Sequence, residues 1–160
     1  MLTKREKIIR QFLSRAAYLT TANGYFRDMG LHVIRARKRI DPKELDAVII
    51  FPKPEEATDK YGFSECRFTM HIEGIVKFRE EGPPVTEINP SAASEQILGD
   101  LINCFMSPEW SRDPELVTDI AYRGGGTESY PEDGEVSVGA YADFQVTYEV
   151  DLGKTEYEPE

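Results

Sequence analysis

Apolar and polar side chains alternate over two long stretches, Cys66 to Phe78 and Val136 to Val150, which predicts two β-strands each with one buried and one polar face. In the first, Cys66, Phe68, Met70, Ile72, Gly74, Val76 and Phe78 share a face. Glu65, Arg67, Thr69, His71, Glu73, Lys77 and Arg79 stand opposite, and Ile75 alone breaks the pattern. In the second, Val136, Val138, Ala140, Ala142, Phe144, Val146, Tyr148 and Val150 face Tyr141, Asp143, Gln145, Thr147, Glu149 and Asp151. At roughly 3.3 Å per residue such a strand reaches about 45 Å. A compact chain of 160 residues has a radius of gyration of only about 15 Å. The strands therefore bend, with Gly74 and Gly139 as the expected bulges, or they project and offer sheet to a partner.

Two segments carry helical spacing instead. Thr3 and Glu6 form an S/T-x-x-E capping box, and Ile8, Ile9, Phe12, Leu13, Ala16 and Ala17 follow as one stripe, with Asn23-Gly24 as the expected stop. A second helix is predicted to open at Asn89 with Pro90 in its first turn. Its stripe is Ile97, Leu98, Leu101, Ile102 and Phe105, and Pro108 lies just beyond. Both stripes read as core.

Between the helices, Leu31 to Ile40 reads as a strand with Arg35, Arg37 and Arg39 on one face. Ala47 to Phe51 is apolar throughout, as in a strand covered on both sides. Pro52 to Tyr61 reads as a polar loop, Leu116 to Tyr122 as a further strand, and Arg123-Gly124-Gly125-Gly126 as the start of a loop to Gly134. The expected fold class is α+β, in the order α-β-β-β-α-β-β, with a mainly antiparallel, strongly bent sheet and two helices packed on one face. Residues 1–153 form one expected domain, and 154–160 an acidic tail expected to fray.

Charge sharpens this picture. The net charge of -10 divides unevenly: residues 1–40 hold ten Lys or Arg against two Asp or Glu, and residues 41–160 hold nine against twenty-seven. Such polarity is compatible with an ordinary solvated surface and also with head-to-tail contacts between copies. The acidity argues against a sequence-specific nucleic-acid binder. No apolar run is long enough for a signal peptide or a membrane span, so a cytosolic protein without membrane contact is expected. Cys66 and Cys104 lack metal spacing and read as buried thiols. His32 and His71 are the only histidines, and neither lies near a set of metal ligands in sequence. A pairing of either with Ser14, Ser64 or a carboxylate is a weak catalytic candidate, since geometry and not composition defines such a site. The glycine triplet lacks the Gly-Lys-Ser/Thr of a phosphate loop. Trp110 reads as local packing before a loop-borne contact. No enzyme motif, cofactor site or metal site emerges.

The whole pattern resembles the tail terminator, or tail completion, proteins of long-tailed phages, and is similar to the minor tail protein U group. The resemblance runs from the first helix, ending in Thr21-Ala22-Asn23-Gly24, through the basic segment His32 to Arg39 and Asp46-Ala47-Val48-Ile49-Ile50-Phe51-Pro52. It continues with Gln96-Ile97-Leu98-Gly99-Asp100-Leu101-Ile102 and Gln145-Val146-Thr147-Tyr148-Glu149-Val150. It implies a structural virion protein, made in the bacterial host cytoplasm, that forms a homo-oligomeric, usually hexameric ring on the tail tube. Such a ring stops tube polymerisation and presents a head-tail joining surface, so the implied partners are the tail tube protein and the head-tail connector protein. The resemblance carries no catalytic residue and no cofactor. Arg35, Arg37 and Arg39 are the candidate subunit-interface residues, expected to meet an acidic surface of a neighbour. A head-tail adaptor, a tail tube subunit and an acidic DNA-mimic binding protein are the alternatives.

Overall fold

The computed structural model describes residues 2–37, 39–77, 90–110, 113–127, 137–151 and 157–158. Its elements are β1 (Leu2–Thr3), α1 (Lys4–Ala16), β2 (Val33–Arg35), β3 (Ala47–Asp59), β4 (Phe63–Lys77), α2 (Pro90–Phe105), β5 (Asp119–Gly126), β6 (Ser137–Asp151) and β7 (Tyr157–Glu158). The fold is α+β: two helices pack on one face of a five-stranded sheet ordered β2-β3-β4-β6-β5.

The two alternating runs are the centre of that sheet. Strands β4 and β6, fifteen residues each, pair antiparallel through every position from Phe63 opposite Asp151 to Lys77 opposite Ser137. The expected apolar set from Cys66 to Val76 and from Val138 to Tyr148 lies in one core with α1 and α2, where Ile8, Phe12, Ile97, Leu101 and Phe105 are buried. Full burial of such a side chain contributes about 2 kcal/mol. Phe78, Arg79, Val136 and the cap at Asn89 lie outside the described residues. No register shift occurs at Gly74 or Gly139, where bulges were expected. Gly74 serves close approach instead: a Cβ there would stand 2.5 Å from Ile97 Cγ2 and 2.6 Å from Met29 Sδ. The bulges lie in β3, between Pro52 and Glu55, and in β5, between Tyr122 and Gly124.

Several expectations are corrected. The sheet is mixed and not mainly antiparallel, because β2 runs parallel to β3, with Val33 opposite Val48 and Arg35 opposite Ile50. Ala36 turns into the left-handed region (φ 54°), and a short turn at Pro42–Glu44 precedes β3. Parallel neighbours require a crossover and not a hairpin. The basic strand is consequently three residues long, not ten. The order also differs, since β1 and β7 add a two-stranded antiparallel sheet at the ends of the chain. The pairing of Tyr157 with Thr3 and Glu158 with Leu2 anchors part of the tail expected to fray, whose other residues lie outside those described.

Helix α1 stops at Ala16, seven residues before Asn23, and Gly24 instead ends a short 3-10 turn at Thr21–Asn23. The expected loop after Phe51 is strand as far as Asp59. Beyond the short cover of β2 that part of β3 is a sheet edge, where the missing N–H groups of Pro52 and Pro54 cost no ladder bond. The glycine triplet is also strand. Gly124 and Gly126 take φ of 143° and 148°, and a Cβ on Gly125 would stand 2.3 Å from the carbonyl oxygen of Tyr141.

Candidate functional site

Three features of the surface bear on function. The first is the hairpin of β3 and β4, closed by Tyr61-Gly62, with the Lys60 N–H donating to Phe63 O at 2.8 Å. Every residue from Lys53 to Gly62 is exposed, and Tyr61 fully so, at 104%. The first turn of α1 reaches onto the base of this hairpin. Arg5 lies 4.2 Å over the Phe68 ring and donates to Lys53 O at 2.6 Å, and Lys4 Nζ donates to Glu149 O at 2.6 Å. Glu55 accepts from the Tyr148 hydroxyl as well as from Arg5. Strand β6 accompanies the hairpin as far as Phe63 opposite Asp151, so the turn with Lys60, Tyr61 and Gly62 lies beyond the last pair, next to Asp59.

The second is a groove of about 720 Å³ between the outer side of α1 and the segment that follows α2. Lys7, Arg10, Gln11, Arg15 and Tyr18 line the helix wall, and Trp110, Glu109 and Asp113 the opposite wall. Arg10 is held by Glu6 at 3.2 Å, and Arg15 donates to Cys104 O at 2.9 Å while lying 5.0 Å over Tyr18. Gln11 Oε1 is buried there without a hydrogen-bond partner. Trp110 packs edge-on against Phe12 at 5.2 Å and Phe105 at 5.9 Å, so its ring is a fixed part of the wall.

The third is the sheet face away from the helices. There His71 stands between two carboxylates, Nδ1 at 2.6 Å from Asp143 Oδ1 and Nε2 at 2.9 Å from Glu73 Oε1, and stacks on Tyr141 at 5.0 Å. These contacts tie β4 to β6 across their paired positions. His32 lies apart, with its Nδ1 donating to Asp46 O at 3.0 Å. Ser64 donates to Asp59 Oδ1 at 2.6 Å, and Ser14 lines the groove, so the serines and histidines expected as weak candidates do not form one site. Among the described residues no group of three or more His, Cys, Asp or Glu is arranged to hold a metal ion. No helix among them is long and apolar enough to cross a membrane.

The three candidate interface arginines do not share a strand face. Arg35 ends β2 and donates through both terminal nitrogens to Glu6 at 2.7 Å, which holds the Glu6 carboxyl below the usual range. Arg37 lies past the strand and pairs with Glu44. Arg39 is exposed. The cations that instead stand along a groove are Lys7, Arg10 and Arg15, at helical spacing on α1. Their alignment was present in the sequence as the polar side of the first stripe. Sequence reasoning also missed Asp100, buried under the core stripe of α2 and accepting from the Phe26 N–H at 3.0 Å. Neither a protein-family model nor a curated protein matches the chain.

Proposed function

We propose that the chain is a structural ring subunit that caps the end of a phage tail tube, stops its growth and offers the surface on which the head is joined. The observation that carries this reading is the β4–β6 ladder of fifteen unbroken pairs, which holds the exposed, acidic β3–β4 hairpin out to its turn at Tyr61-Gly62. A protruding element on one side and a basic groove on another suit a heterologous contact, which closes into a ring when the rotation per subunit fits. The resemblance to tail terminators in the segments around Ile49 and Leu98 supplies the tube and the head as partners.

Native mass spectrometry over a wide concentration range, with negative-stain images of the same samples, tests the proposal. Closed rings of one stoichiometry, six by the resemblance, that sit on the ends of added tail tubes support it. Open tubes transfer the assignment to a tube subunit, and rings that bind a head connector but leave tubes uncapped transfer it to an adaptor. A chain that neither forms rings nor binds tube ends overturns it.

A further inference from the structure

We infer that the Tyr61 tip of the β3–β4 hairpin of one copy docks in the groove along α1 of the next copy. The inference rests on the ring reading and specifies its subunit contact.

A fully exposed aromatic at a hairpin turn beyond the last strand pair is costly to leave in water and contributes large apolar area when covered. The groove is walled by rings on both sides, Tyr18 and Trp110, with Leu116 between charged neighbours. Its volume of about 720 Å³ exceeds that of a tyrosine side chain. Charge agrees in sign on both walls: Glu56 and Asp59 would meet the Lys7, Arg10 and Arg15 side, and Lys60 would meet Glu109 and Asp113. Gln11 Oε1, an acceptor without a partner, supplies a position for the Tyr61 hydroxyl to donate to once its side chain rotates.

The contact belongs between copies and not within one. The hairpin passes the N-terminal turn of α1 at Lys4 and Arg5, and the groove lies along the following turns as far as Tyr18. At 1.5 Å per residue, Arg15 stands roughly 16 Å from Lys4 along the axis, in the direction away from the tip. Knob and groove on different parts of one surface make the contact heterologous, so each copy uses one of each.

Two variants separate the halves: Tyr61→Ser with Asp59→Asn at the tip, and Arg10→Glu with Arg15→Glu in the groove. Each is mixed and weighed by native mass spectrometry, with folding checked by circular dichroism. The wild type should associate, each variant alone should associate at least about tenfold more weakly, and the two mixed should form a 1:1 dimer that grows no further. Trp110 is the only tryptophan and lines the groove, so its emission should change on wild-type association and on mixing, but not in either variant alone. Should a groove variant unfold, Lys7→Glu with Arg10→Glu replaces it. Variants that assemble like the wild type would overturn the docking while leaving the ring reading intact. A wild-type chain that stays monomeric with unchanged Trp110 emission at about 1 mM, where even weak contacts populate, would also overturn it. Capping of tube ends by such a chain would still preserve the functional reading.

Discussion

Asp100 shows how much one residue can tie together. Its carboxylate takes the Phe26 N–H from the loop after α1, so it joins α2 to the segment that leads into β2. Burial lifts its pKa to about 6 from an ordinary 3.8, against the pull of the Phe26 and Arg27 backbone N–H groups. The folded chain therefore retains a proton that the unfolded chain releases between about pH 4 and 6. Stability from this group is fully present below that window and falls as pH rises through it. Asp100→Asn keeps the acceptor and removes the titration. It should flatten the pH dependence between 4 and 6 and raise the unfolding free energy at pH 7 by about 2 kcal/mol. Urea unfolding of both proteins at several pH values measures this, and an unchanged slope with pH would contradict it. The cysteines give a second expectation at this scale. Burial pushes the Cys104 thiol up to about 11, although Arg15 opposes the shift, and Cys66 is equally enclosed. Because the thiolate is the reactive form, both should react with an aromatic disulfide reagent at neutral pH only as the chain unfolds. Rapid labelling of the native protein would show that the α1–α2 packing opens readily.

At the scale of elements, the two glycines that admit close neighbours make a paired test. A Cβ on Gly125 meets the backbone of Tyr141, whereas one on Gly74 meets the ends of Ile97 and Met29. Flexible side-chain ends yield more easily than a carbonyl inside a ladder. Gly125→Ala should therefore cost about 2 to 3 kcal/mol and Gly74→Ala about half of that, with chemical denaturation as the measurement. The reverse order would mean that β5 slides along β6 at little cost. These glycines also mark where the sequence was legible. Alternation identified β6 to within a residue at each end and β4 except for its first three residues, because a half-buried strand writes its two faces directly into the chain. The helix stripes were read for the same reason. β5 was cut short at Tyr122 because three glycines in a row carry no faces to read, and their need arises only from the approach of β6. β3 was cut at Phe51 because two prolines argue against a central strand, and nothing local says that β2 covers only three residues. The arginine ladder failed at Ala36, whose left-handed turn has no local signal in an alanine. Of the candidate site, the cations of α1 were visible but their groove was not, since its far wall comes from residues about a hundred positions later.

Across the whole molecule, the division of charge in the chain becomes a division in space, yet part of it is neutralised internally. Arg5 pairs with Glu55, Arg35 and Arg10 with Glu6, and Arg37 with Glu44. Exposed pairs of this kind contribute only about 0 to 1 kcal/mol each, so they guide packing more than they secure it. Lys7, Arg10 and Arg15 nonetheless line the groove along α1, and the hairpin carries Glu56 and Asp59 on an exposed surface. The stability of the subunit and the strength of its contact with a neighbour should therefore respond differently to salt. Raising sodium chloride from about 50 mM to about 500 mM shortens the range of exposed charges severalfold and should weaken self-association by about tenfold. The unfolding free energy should change by less than about 1 kcal/mol, because core burial on the helix side of the sheet dominates it. Sedimentation across the salt series and urea unfolding at its two ends make the comparison. Association that strengthens with salt would mean that apolar burial of Tyr61 governs the contact and that the paired charges set only its orientation. Parallel loss of association and stability would place the ion pairs of α1 in the subunit's own fold.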